Sequence, residues 1–177
     1  LHRAGDGSWL LPKGGAASTW ILKRGGLARD GDDVIDTEVL CLELARAVGL
    51  STVHGEILDF GDVRAIAVCR YDRRDVGGRI ERLHQEDFAQ ALGVPAQDVN
   101  AKFQWGRKRP SLALIAARLD DGGASTVGLA RLAVFSWIVG NTDMHAKNIS
   151  LTRTVDDVID LAPAYDVSMR LHHQGSR

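Results

Sequence analysis

The sequence predicts a mixed α/β (α+β) fold in two parts, strand-rich with one helix up to about Tyr71 and mostly helical after it. Three observations carry this. Short apolar runs of strand length, bounded by Gly, Pro and Asp, crowd the first part. Apolar residues recur at helical spacing over 37–48, 111–119 and about 127–140. At 177 residues and 45% apolar content, the chain is long enough for one or two small domains with a sizeable core. Lys and Arg number 22 against 23 Asp and Glu, and a net charge of −1 gives no overall pull toward nucleic acid or a membrane surface. No apolar run reaches the roughly 20 residues that span a bilayer. Cys41 and Cys69 lie in apolar segments without metal-type spacing, which fits reduced thiols in the cytoplasm rather than a disulfide.

Residues 1–15 read as a hairpin turning at Asp6-Gly7 and broken by Pro12. Gly14-Gly15 lacks the Gly-Lys-Ser/Thr continuation of a phosphate loop and reads as a turn. A strand follows over 18–24, carrying Lys23 at its end, and 25–36 is polar enough to be a loop. The helix at 37–48 has Asp36 as its expected N-cap and Gly49 as its stop. Glu38 reads either as a favourable first-turn charge or as an ion-pair partner of Lys23. Strands are expected at 52–59 and 63–71 around Gly61-Asp62, the second with apolar residues on both faces and therefore central in its sheet. Asp72-Arg73-Arg74-Asp75 reads as a solvated exit and 76–80 as a Gly turn. A helix is expected from Leu83, stopped by Gly93 and Pro95, with Gln85, Glu86 and Asp87 as capping groups or, in the alternative, as contacts to a peptide substrate. His84 reads as a loop histidine. Trp105 among Lys102, Arg107, Lys108 and Arg109 hints at an acidic or nucleic-acid partner, against the blander reading of a solvated loop. Short strands at 149–152 and 158–162 form a hairpin.

The chemistry concentrates where the helix at 127–140 ends. Asp143 and Asn148 carry the D-x-x-x-x-N spacing of a kinase catalytic loop. In such a loop the Asp accepts the proton of the attacking hydroxyl and the Asn oxygen binds Mg²⁺. Lys147 adds a cation that can neutralise phosphate. After the hairpin comes Asp166, where a second metal-binding carboxylate belongs. Asn148, Asp166 and phosphate oxygens suffice for Mg²⁺, which keeps several waters. The same residues allow an Asp turn without chemistry. They also allow a metal-dependent hydrolase built on Asp143, His145 and Asp166, although no His spacing in the chain, His172-His173 included, supports a metal cluster.

The stretch Phe135-Ser136-Trp137-Ile138-Val139-Gly140-Asn141-Thr142-Asp143-Met144-His145-Ala146-Lys147-Asn148 resembles the catalytic segment of the HipA toxin kinases, as does Leu161-Ala162-Pro163-Ala164-Tyr165-Asp166-Val167. Trp20-Ile21-Leu22-Lys23, the run from Arg64 to Arg74, and Arg82-Leu83-His84-Gln85-Glu86-Asp87-Phe88 match the same family in the same order. The resemblance implies a kinase-like bilobal fold, here partial, with residues 1–71 as a strand-rich N-lobe ending in the hinge and 72–177 as a mostly helical C-lobe. It implies an ATP- and Mg²⁺-dependent Ser/Thr protein kinase, the toxin half of a bacterial type II toxin–antitoxin pair, cytoplasmic. Its partners would be a protein substrate and a helix-turn-helix antitoxin through which DNA is contacted indirectly. Asp143 would be the catalytic base. Lys23, His145, Lys147, Asn148 and Asp166 would bind nucleotide phosphates and metal, and Cys69, Arg70 and Tyr71 the adenine, through backbone groups. The family often has an acidic residue where Cys69 stands. Its Gly-rich phosphate loop, with an autophosphorylatable Ser, is expected just upstream of Leu1, and further helices beyond Arg177. The alternative is a degenerate kinase that binds nucleotide or antitoxin and transfers nothing.

Overall fold

The computed structural model describes residues 1–25, 31–95, 101–103, 110–119, 123–153, 156 and 158–169, with side chains for all of these except 31–33. Strands β1 (His2–Arg3) and β2 (Trp9–Leu10) pair as the expected hairpin, with Gly7 at φ 86° in the turn. Strand β3 (Trp20–Arg24) leads across residues 26–30 to helix α1 (Gly31–Ala47). Strands β4 (Gly55–Phe60) and β5 (Val63–Cys69) follow, and the three strands form an antiparallel sheet in the order β3-β5-β4. β5 takes the centre because Ala65, Ile66, Ala67 and Val68 are all buried, so both of its faces are covered.

Helix α1 begins at Gly31, not at residue 37, and this corrects the expected loop. Gly31, Asp32 and Asp33 are loop-type residues that hide the start, although Ile35, Val39 and Leu42 at i, i+4 and i+7 carry the apolar face back before residue 37. Asp36 therefore sits inside the helix instead of capping it, and its carboxylate accepts from both terminal guanidinium nitrogens of Arg64 at 2.9 and 3.0 Å. The helix closes as expected at Gly49, φ 70°. The Gly49 amide donates to the Arg46 carbonyl and the Leu50 amide to the Ala45 carbonyl, the paired bonds of a Schellman stop. The buried face of α1 serves two cores. Ile35 and Leu42 pack with Val53, Ile66 and Val68 against the sheet, whereas Cys41 and Ala45 pack into a larger cluster around Phe88, Ile115, Leu132 and Ile149.

Strands β6 (Arg73–Val76) and β7 (Arg79–Arg82) make a hairpin of the expected Gly77-Gly78 turn. Asp72, read as solvated, is buried, with Arg70 and Arg73 both on its carboxylate. A charge is kept out of water here only because it is paired. The expected helix from Leu83 is instead strand β8 (His84–Asp87) followed by the short helix α2 (Phe88–Ala91). The polar run that resembles a helix start pairs with a distant strand, a tertiary choice that overrides local preference. Asp87 alone acts as the cap, in a reciprocal capping box with Gln90. Helices α3 (Leu112–Leu119) and α4 (Ala124–Ile138) lie where helical spacing places them. A 3-10 turn (Ala146–Asn148) leads into β9 (Ser150–Arg153), which pairs with β10 (Ile159–Leu161) on one side and β8 on the other. Among the described residues no helix is long and apolar enough to cross a membrane. Trp105 with Arg107, Lys108 and Arg109, and His172-His173, lie outside the described residues.

Candidate active site

Strand β3, α1, the end of β5, β8 and the segment after β10 converge on a cleft of about 290 Å³. Ile21, Val53 and Val68 give it apolar walls, while Lys23, Glu38, Lys147 and Asp166 are among its charged groups, with Asp87 3.9 Å from Lys147. Lys23 Nζ lies 2.6 Å from Glu38 Oε1 and 2.6 Å from Asp166 Oδ1. Glu38 is thus the ion-pair partner of Lys23. Burial works against the Lys23 charge, but Glu38 and Asp166 outweigh it and hold its pKa above the ordinary lysine value. Burial pushes the Glu38 carboxyl up despite the opposing pull of Lys23. Asp166 has φ 53°, the left-handed region, which Asp tolerates better than most non-glycine residues.

Cys69, Arg70 and Tyr71 also line the cleft. The Cys69 and Arg70 amides donate to the carbonyls of His54 and Thr19 at 2.8 and 2.9 Å. The sheet therefore uses the first two amides of this turn.

The loop after α4 is held by its own polar groups. The Asp143 amide donates to Asn141 Oδ1 at 3.1 Å, and Asn148 Nδ2 donates to the Asp143 carbonyl at 3.0 Å. With its nitrogen engaged, Asn148 has its carboxamide oxygen to offer a cation. The Asp143 side chain is half exposed. His145 is buried, with Nε2 3.5 Å from Asp143 Oδ1 and its ring edge-on to Phe103. His145 Nδ1 meets no hydrogen-bond partner among the described residues. The loop is tied outward where the Ala146 amide donates to the Lys102 carbonyl at 3.1 Å.

A hydroxyl network runs along the wall of the cleft, where Gln85, Lys147 and Tyr165 line it. Gln85 Nε2 donates to Ser150 Oγ at 2.8 Å, Ser150 Oγ meets the Tyr165 hydroxyl at 2.5 Å, and that hydroxyl donates to the Lys147 carbonyl at 2.9 Å. The Tyr165 ring stacks on Tyr71, centroids 5.7 Å apart at 30°. Burial pushes the Tyr71 hydroxyl up to about 12 and that of Tyr165 higher still, so both stay protonated hydrogen-bonding groups.

Of the residues singled out in the sequence, Lys23, Cys69, Arg70, Tyr71, Lys147 and Asp166 all line the cleft. Asp143, His145 and Asn148 stand together in the adjoining loop, outside that lining. Among the described residues no three His, Cys, Asp or Glu side chains converge as a metal cluster. Sequence reasoning gave Gln85 a capping or peptide-substrate role, and gave Ser150 and Tyr165 no role of their own, Tyr165 figuring only within the family-like segment. The available signal was Ser150, a lone hydroxyl between Ile149 and Leu151 in an apolar strand, where it needs a partner once buried.

The family model described as the HipA-like C-terminal domain matches residues 3–176. Y4mE of Sinorhizobium fredii, which bears a kinase name, is 34% identical over 92% of this chain and 38% of its own length. The Shewanella oneidensis protein named serine/threonine-protein kinase toxin HipA is 29% identical over 76% of this chain and 34% of its own. Among solved structures, the S. oneidensis toxin–antitoxin complex of HipA, HipB and operator DNA matches with TM-score 0.71 at 26% identity, covering 87% of this chain and 38% of that one. The Helicobacter pylori proinflammatory kinase CtkA matches in fold, with TM-score 0.56 at 13% identity, over 83% of this chain and 50% of that one. The chain thus spans about two fifths of the length of the curated relatives it matches.

Proposed function

From a chain that belongs to the HipA-like C-terminal domain family and shares a kinase-like fold, we propose the nucleotide-binding and catalytic segment of an ATP- and Mg²⁺-dependent Ser/Thr protein kinase. The observation that carries this is Lys23 held between Glu38 and Asp166 in the cleft, with Asp143 and Asn148 in the adjoining loop. A strand lysine paired to a helix glutamate, beside a metal-type aspartate, is the arrangement kinases use to receive nucleotide phosphates. We divide the chain into a strand-rich N-lobe, 1–71, and a C-lobe, 72–177.

The donor set fits ATP with Mg²⁺. Asn148 offers a carboxamide oxygen and Asp166 a carboxylate, the hard oxygen ligands that Mg²⁺ takes. Val53 and Val68 give a base its apolar slot, and the Tyr71 amide is the hinge donor left once the sheet has taken those of Cys69 and Arg70. ATP supplies the phosphoryl group and Mg²⁺ neutralises its charge. Lys23 and Lys147 hold phosphate oxygens, and His145 supports the same end of the site. Asp143, half exposed, orients the Ser or Thr hydroxyl of a protein substrate. It takes the hydroxyl proton as that oxygen bonds to phosphorus and the bond to ADP breaks. Such catalysis is positioning and charge stabilisation.

The full-length protein would be the toxin of a bacterial toxin–antitoxin pair in the cytoplasm. Its antitoxin would be a helix-turn-helix protein through which it meets DNA. The support is the relative solved with its antitoxin HipB and operator DNA. The test is Asp143→Asn in the full-length protein, read by transfer from labelled ATP to itself or to a host extract. General-base removal costs about 10²–10⁴ in rate, with ATP binding kept. Transfer at the wild-type rate overturns the mechanism. A wild type that binds ATP and never transfers phosphate is instead a binding module.

A further inference from the structure

Asn148 and Asp166 come from different segments, and something must hold them in one register if both are to meet one cation. The Tyr165 hydroxyl sits where that coupling belongs. Tyr165 directly precedes Asp166, and its hydroxyl donates to the carbonyl of Lys147, directly before Asn148. The Lys147 carbonyl can only accept, so the hydroxyl proton is used there, and Ser150 must be the donor in its 2.5 Å contact with Tyr165. Gln85 completes the chain by donating to Ser150 at 2.8 Å. The order that satisfies these contacts runs from the Gln85 amide to Ser150, from Ser150 to Tyr165 and from Tyr165 to the Lys147 carbonyl, with the Tyr71 hydroxyl also within reach of Ser150. Ser150 itself is 1% exposed, which shields its end of the chain from water, whereas the Tyr165–Lys147 bond lies at the surface of the cleft. The Tyr165 ring is also fixed sideways by its stack on Tyr71.

We infer that Tyr165 is a positioning residue whose hydroxyl, bonded to the Lys147 carbonyl and to Ser150, sets the placement of Asp166 relative to Asn148 for one Mg²⁺. Tyr165 touches neither metal nor phosphate in this role. It acts as the outer hydrogen-bonding group that orients metal ligands, a class whose loss typically lowers metal affinity about 10–100-fold. The inference rests on the kinase reading above.

The test is nucleotide binding by the full-length protein at rising Mg²⁺, followed with a fluorescent ATP analogue, for wild type, Tyr165→Phe and Ser150→Ala. Tyr165→Phe keeps the stack on Tyr71 and loses only the hydroxyl. The expected result is that about tenfold more Mg²⁺ is needed for half-maximal binding, while affinity without Mg²⁺ is unchanged. Ser150→Ala should move the Mg²⁺ requirement the same way by less, and it carries the test if Tyr165→Phe does not fold. A hydroxyl with a purely structural role lowers the melting temperature and leaves the Mg²⁺ requirement where it was, and that result overturns the inference. If wild-type binding does not respond to Mg²⁺ at all, the kinase reading falls first and this inference with it. A normal wild-type response with unmoved variants removes the inference alone.

Discussion

Lys23 is one cation serving two carboxylates, and the two differ. Glu38 is buried, whereas Asp166 is nearly half exposed. Removing Lys23 therefore has two separable consequences. For binding, Lys23→Ala is expected to weaken ATP with Mg²⁺ by about tenfold or more, the scale of a charge-assisted hydrogen bond lost from a phosphate site. For stability, it leaves Glu38 buried without its cation, which costs on the order of 3 kcal/mol at neutral pH. The sign with pH follows from the raised Glu38 pKa. Below the ordinary value of 4.5 the carboxyl is protonated in folded and unfolded chains alike, and the missing cation matters little. As pH rises through the folded-state pKa, the variant must ionise a buried group, and its stability falls. Urea unfolding of wild type and Lys23→Ala should give a gap that widens from pH 4 to pH 7. A gap independent of pH would mean that packing of the lysine stem, not its charge, was lost.

At the scale of elements, the cleft depends on how closely α1 lies on the sheet. Gly55 in β4 permits this approach. A Cβ built there comes 3.1 Å from Leu42 Cδ1 on α1 and 3.3 Å from Ile66 Cδ1 on β5. Gly55→Ala should thus overpack the joint and destabilise by about 1–2 kcal/mol, within the usual cost of added methyl groups in a filled core. It should also push α1 away from β3 and lengthen the Lys23–Glu38 contact. Denaturant unfolding gives the first result and nucleotide affinity the second. A fully tolerated substitution would show that Leu42 can swing aside and that α1 is not gauged by this glycine. The Schellman stop at Gly49 does complementary work. It turns the chain toward Ser51, whose hydroxyl donates to the Ala164 carbonyl at 2.6 Å and so ties the end of α1 to the segment that presents Asp166.

At the scale of the whole molecule, an apolar face of α4 stands open among the described residues. Val127, Val134, Trp137 and Ile138 of α4 are exposed, Trp137 at 83%. Val48, Val127, Val134 and Ile138 line an apolar depression of about 430 Å³. Open apolar patches of this kind drive association. The 177-residue chain by itself is expected to bind a hydrophobic dye and to self-associate as its concentration rises. The double substitution Val134→Ser with Ile138→Ser should reduce both without lowering the melting temperature, because neither side chain is buried. Light scattering and dye fluorescence measure this, and an unchanged dye signal would place the sticky surface elsewhere.

By itself the sequence determined whatever is written in short-range pattern. The helices α3 and α4, the two-sided central strand β5, the Gly49 stop and the hairpin at Asp6-Gly7 follow from periods and turn residues a few positions apart. The spacing of Asp143, Asn148 and Asp166 was legible for the same reason, since it runs along one loop and one hairpin. The start of α1 was hidden by the loop-type residues Gly31, Asp32 and Asp33, although Ile35 continues the apolar period of Val39 and Leu42. Tertiary structure alone decided that 84–87 is a strand, because the partner β9 lies more than sixty positions away. It also chose Glu38 over the bland reading of a helix-start charge, placed Asp72 inside between Arg70 and Arg73, and joined Gln85, Ser150, Tyr165 and Lys147 in one chain of hydrogen bonds. The physical reason is common to all of these. A polar group's role depends on what burial leaves it to pair with, and the partner is chosen by the fold rather than by the neighbouring residues.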